Sequence, residues 1–129
     1  MRVNVDVSAG ELIDRITILQ IKVRRLPRAR RGDVKRELVA ARTTRDRLIL
    51  SSKRLDDLTK ALRAANSQLW NIEEELRGCE RTGRFGPRFV ELARAVYKTN
   101  DRRAALKREV DRLLGSELRE QKSHHLPSL

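Results

Sequence analysis

The chain has 129 residues and a formal net charge of +12, long enough for one domain with a core and too short for two. Its hydrophobic content is 39%, yet it holds one Trp, one Tyr and two Phe, so the core has to be built from Leu, Ile, Val and Ala, which argues against a β-sandwich and for packed helices. No run of about 18 apolar residues and no leader-like apolar segment occurs. Neither a membrane span nor a signal peptide is therefore expected, and the single cysteine, Cys79, agrees with a reducing, cytoplasmic compartment.

Val3, Val5 and Val7 alternate with Asn4 and Asp6, the pattern of a short extended segment. Ser8-Ala9-Gly10-Glu11 then reads as a capping box: the Ser8 hydroxyl accepts from the Glu11 amide and the Glu11 carboxylate returns to the Ser8 amide. A first helix is predicted over 9–25, stopped by Pro27. On a wheel of about 100° per residue Leu12, Ile16, Leu19, Val23 and Leu26 form one stripe, while Ile18 and Ile21 fall on the opposite side near Asp14. A helix apolar on two faces is sandwiched, either centrally in a bundle or against a second subunit.

The connection LPRARRG leads to a second helix predicted over 33–50, with Asp33 as its cap. The apolar register slips between Leu48 and Leu58, and Ser51-Ser52 is the only weak point, so a break is expected there and a third helix over 54–78. Gly78, Gly83 and Gly86 mark the next connection. Pro87 suits a first helical position, and the fourth helix is predicted over 87–114, closed by Gly115. Residues 116–129 read as a frayed tail of the same single domain, 1–129. The fold class is thus all-α, an antiparallel helical bundle or elongated helical hairpin.

The stretch 66–80, NSQLWNIEEELRGCE, carries the only Trp, the only Cys and the run Glu73-Glu74-Glu75. The core stripe of the last helix includes Phe89, Leu92, Ala93, Val96, Val110, Leu113 and Leu114, and within it stand Thr99, Asn100, Arg103 and Lys107. In an antiparallel hairpin, facing residues of the third and fourth helices have numbers summing to roughly 165. Asn66 then faces the Asn100 level and Trp70 lies a turn away, near Val96 and Tyr97. Glu73 and Arg77, with Tyr97, Asn100 and Arg103, supply donors and acceptors for a polar layer. Such a layer is either a register-fixing network or a pocket for a small anionic ligand such as a nucleotide-sugar or phosphate. Its candidate ligand-binding residues are Asp14, Asn66, Trp70, Glu73, Tyr97, Asn100, Arg103 and Lys107.

Between 22 and 54 there are thirteen Lys or Arg against Asp33, Glu37 and Asp46, so most of the net charge is concentrated there. Arg24, Arg25, Arg28, Arg30, Arg31, Lys35 and Arg36 are the candidate polyanion-binding residues, since such a block gains affinity for nucleic acid by releasing counterions. Scarce aromatics make any such binding backbone-directed and not base-specific. No catalytic residue, metal site or cofactor is indicated. His124 and His125 are adjacent in the tail, the three glutamates diverge around a helix, and GRFGP lacks the strand and the GKS or GKT end of a phosphate loop.

GELIDRITILQIKVRRL, NSQLWNIEEELRGCE, FGPRFVELARAVYKTNDRRAALKREVDRLLGSEL and the trailing EQKS resemble a family of small bacterial proteins catalogued as a domain of unknown function. The motif positions present here are Glu11, Asp14, Asn66, Trp70, Glu73, Glu91, Tyr97, Asn100, Arg103 and Lys107. The resemblance is weakest over about 27–53. The family's association with glycosyltransferase and tetratricopeptide-repeat genes implies an accessory role in glycan or surface-polysaccharide biology. The leading expectation is accordingly a non-enzymatic helical protein acting through a protein partner or as a homo-oligomer. Polyanion binding through 22–54, and small-ligand binding at the polar layer, stand as alternatives.

Overall fold

The computed structural model describes residues 1–115. Among these the chain forms four helices, α1 (Ala9–Arg25), α2 (Arg31–Leu48), α3 (Lys53–Thr82) and α4 (Pro87–Leu114), with a 3-10 turn at Arg28–Arg30 and no strand. The protein is an all-α helical bundle. No helix among the described residues is long and apolar enough to cross a membrane.

The hairpin of α3 and α4 is the platform. Gly83 ends α3 at φ 67°, a left-handed conformation that glycine adopts without a Cβ penalty, and Pro87 opens α4, where its missing N–H costs nothing. Ion pairs near the two ends, Arg54–Glu109 at 3.2 Å and Arg88–Glu75 at 2.9 Å, mark an antiparallel register close to that expected. Both pairs are largely exposed, so they mark the register more than they stabilise it.

Helix α1 packs on α2, α3 and α4, and is the centre of the bundle. Its Ile13 joins Leu55, Leu58 and Leu62 of α3 and Val110 of α4 in one core cluster. Its Ile16 and Leu19 meet Ala41 of α2, flanked by Leu12, Val34 and Leu38. Burying each such side chain contributes about 1.5–3 kcal/mol before entropy is counted. Helix α1 is thus sandwiched within this chain, but its second apolar contact is made by Ile13 and not by the expected Ile18, which is half-buried and outside both clusters.

The predicted bounds of the first and fourth helices match those observed. The second helix begins at Arg31 rather than 33 because the 3-10 turn after Pro27 runs directly into it. Arg30 is its N-cap residue, with no side-chain cap; Asp33 lies in the first turn and bonds Arg36 instead of capping. The break at 49–52 is present, and Ser52 caps α3 by accepting from the Leu55 amide at 3.1 Å. The third helix continues to Thr82 instead of ending at 78, since Gly78 is accommodated inside it and Gly83 supplies the left-handed stop. Val3, Val5 and Val7 are exposed. Ala93 and Leu113, expected in the core stripe, are exposed, because α4 buries its Thr99, Ala104, Lys107 and Asp111 side toward α1 and α3. The tail over 116–129, with its two histidines, lies outside the described residues.

Candidate functional site

Asp14 sits on the α1 face turned toward the hairpin. Its side chain is 1% exposed, and it draws in polar groups from both helices below it. Arg103 of α4 donates from Nε to Oδ1 at 2.9 Å and from Nη2 to Oδ2 at 2.5 Å, the two-pronged fit of a planar guanidinium on a carboxylate. Asn66 of α3 donates from Nδ2 to the same Oδ1 at 2.8 Å and to Thr17 Oγ1 at 2.9 Å. The Thr17 hydroxyl in turn donates to the Asp14 carbonyl at 2.7 Å. A buried carboxylate without partners would be strongly disfavoured; here three N–H donors and one formal positive charge compensate it.

A second set lies one turn toward the start of α1. Lys107 is buried on α4, and its Nζ meets Glu11 Oε2 at 2.6 Å. Ser8 accepts from the Glu11 amide at 3.1 Å, as expected from the capping box, but the Glu11 carboxylate is engaged by Lys107 across the bundle. Asp111 Oδ1 accepts from the Gly10 amide at 2.6 Å, placing a carboxylate at the positive end of the α1 dipole. Asp111 Oδ2 is buried and makes no hydrogen bond to a described residue. Gly10 is required by this approach: a Cβ there would stand 2.3 Å from the Lys107 carbonyl oxygen.

The predicted layer residues divide into three groups. Asp14, Asn66 and Arg103 are joined directly, and Asn100 Oδ1 receives a long bond from Arg103 Nη1 at 3.5 Å. Tyr97, Asn100, Arg103 and Lys107 line a surface depression of about 440 Å³ on the outer side of this network. Trp70 is half-buried a turn along α3 from Asn66, whereas Glu73 is exposed and forms no ion pair with Arg77, itself exposed. Tyr97 is exposed as well, and the hydrogen bond from the Arg94 guanidinium holds its phenol below the ordinary tyrosine range. The interior of the layer is a mutually bonded network; the depression beside it is where its groups meet solvent.

Sequence reasoning did not place Thr17, Gly10 or Asp111 in the layer. Thr17 stands three residues after Asp14, so the two share a helix face, and that spacing was an available signal. Gly10 and Asp111 carried none, because they meet across 101 residues of sequence.

The basic residues of the 22–54 stretch are arranged differently. Arg24, Arg25, Arg28, Arg30, Lys35 and Arg36 are exposed. Arg31 turns back on the α1 terminus, donating to the Leu26 carbonyl at 2.7 Å and to the Arg24 carbonyl at 3.4 Å, and so fixes the α1–α2 connection. Arg36 is paired with Asp33.

No family model, curated protein or solved structure matches this chain.

Proposed function

We propose that the protein is a non-enzymatic helical module that binds polyanions through the basic outer face of α2 and the adjoining end of α1. One observation carries this reading. Helix α2 buries a single residue, Ala41, so nearly all its charged side chains stay in solvent and available to a ligand. Phosphate groups arriving there would displace counterions, and with no aromatic residue on α2 the binding would follow the backbone, not the bases. Fluorescence anisotropy with a labelled single-stranded RNA homopolymer tests it. Affinity should fall by orders of magnitude between about 50 and 200 mM salt, and Arg28→Glu with Lys35→Glu should weaken binding at every salt concentration. Absence of binding at low salt would refute it.

A second reading, association with another copy of this chain, is favoured by Val39, Leu48 and Leu50, which are exposed on and just beyond α2; Leu50 is 90% exposed. Sedimentation velocity should show a concentration-dependent dimer that Leu48→Ser with Leu50→Ser dissolves. A strict monomer at high concentration would eliminate self-association.

A further inference from the structure

We infer that the trough between α2 and α3 is a seat for clustered phosphate groups, a proposal that rests on the polyanion reading and assigns it a defined site. Among the described residues α2 packs on α1 but not on α3, and α3 packs on α1, so the two helices stand as walls over an α1 floor. The resulting cleft has a volume of about 580 Å³, within the range of small-molecule sites. Four arginines line it: Arg24 and Arg25 from α1, Arg42 from α2 and Arg63 from α3. Its wall contains no carboxylate.

The arginines are not equivalent. Arg63 Nε donates to Gln20 Oε1 at 3.0 Å, a neutral partner that orients the guanidinium without cancelling its charge. Arg25 is similarly steadied by Asn71 Oδ1 at 3.1 Å. Arg24 and Arg42 form no ion pair with a described carboxylate. Apolar Ile21, Val23 and Leu38, with Ser67, complete the wall, and a low-dielectric surface beside fixed charges strengthens their attraction for an anion. Four like charges lining one cleft whose wall holds no carboxylate repel one another, so a ligand that neutralises them stabilises the fold.

The charge pattern also selects the ligand. Farther along the trough, Arg42, Arg45, Lys60 and Arg63 share the wall with Asp46 and Asp56, and Arg45 is paired with Asp46 at 3.3 Å. The anion therefore sits at the acid-free end, where room and charge suit two or three linked phosphates better than one. Arg63 lies outside the 22–54 block, which is why no linear reading of the charge run includes it.

Isothermal titration with sodium tripolyphosphate tests the assignment. The wild-type chain should bind it with one-to-one stoichiometry, and tripolyphosphate should displace the RNA homopolymer. Arg42→Ala and Arg63→Ala should each weaken binding about tenfold or more, the loss expected for a charged hydrogen-bonding group. Arg102→Ala with Arg112→Ala, exposed on α4 and outside the cleft, should change it less than twofold. Gln20→Ala should lower affinity while circular dichroism stays native, the mark of a positioning residue, and Arg63→Lys should recover part of the loss. If RNA binds but tripolyphosphate does not, or if all arginine variants lose affinity equally, the trough is overturned and the polyanion reading stands. If neither binds, both fall. Vesicles of phosphatidylcholine and phosphatidylglycerol form the last arm: binding to them that depends on Arg63, without tripolyphosphate binding, overturns the soluble-phosphate assignment in favour of a lipid surface.

Discussion

Asp14 and Arg103 lie 89 residues apart in sequence and form a two-pronged ion pair at 2.9 and 2.5 Å, with the Asp14 side chain buried and the Arg103 side chain 26% exposed. This pair ties the first helix to the last, and Asn66 brings the third helix to the same carboxylate. Asp14→Ala removes the carboxylate that Arg103 and Asn66 share, and Arg103→Ala leaves a buried carboxylate. Each single change should cost about 3–5 kcal/mol in urea unfolding. Replacing both with apolar residues should cost clearly less than the two losses added together, a coupling of at least about 1 kcal/mol in a double-mutant cycle. Additive losses would show that the pair is not a unit.

Gly10 is where α1 passes closest to α4. With 2.3 Å between a built Cβ and the Lys107 carbonyl oxygen, and 2.8 Å to Asp111 Oδ1, the relief has to come from backbone. Gly10→Ala should therefore destabilise by about 1–3 kcal/mol even though alanine is the better helix former. Thermal and urea unfolding measure it. A neutral or stabilising Gly10→Ala would mean that the α1–α4 approach is looser than described.

Ser52 separates α2 from α3 with neither glycine nor proline to help. It caps α3 through the Leu55 amide at 3.1 Å. Ser52→Ala should lower stability by about 1 kcal/mol, and Ser52→Asp should restore most of it, since either side-chain oxygen accepts the same bond. Equal stability of all three variants would show that the cap contributes nothing.

Tyr97 is the only tyrosine, so its ionisation can be read directly by ultraviolet absorbance. The hydrogen bond from Arg94, then the nearby charges of Arg94 and Lys98, favour the tyrosinate and lower the pKa below 10.0. Because the folded value is the lower one, the stabilisation is complete only above the unfolded tyrosine pKa and is lost as pH falls through the folded value. It is absent near neutrality. Arg94→Ala should move the titration upward toward 10.0; an unchanged midpoint would exclude the Arg94 bond as the cause.

The helices were legible because their signals are local. Ser8 before α1, Pro87 at the start of α4 and Gly115 after its end act through backbone geometry within a few residues, and all three occupy the positions their chemistry suggests. The slip in apolar register between Leu48 and Leu58 gave the break, but not which serine caps the next helix. Asp33 misled, since an aspartate near a helix start is a good cap only if the helix begins just after it, and the turn after Pro27 moved that start to Arg31.

Within the polar layer, helix periodicity placed Asn66, Asn100 and Arg103 on facing stripes, and the hairpin register set them at one level. It placed Glu73 and Tyr97 there too, although both are exposed, because a stripe read from two helices says nothing about where the third covers it. That covering helix is α1. The sequence by itself determined four helices, their approximate ends, the sandwiched position of α1 and the concentration of charge over 22–54. Only the tertiary structure decided that Asp14 is the acceptor at the centre of the layer, that Gly10 must lack a side chain, and that Arg63 joins Arg24, Arg25 and Arg42 across a trough. Helix formation is fixed by neighbours a few residues apart, whereas burial and charge convergence depend on side chains brought together from dozens of residues away.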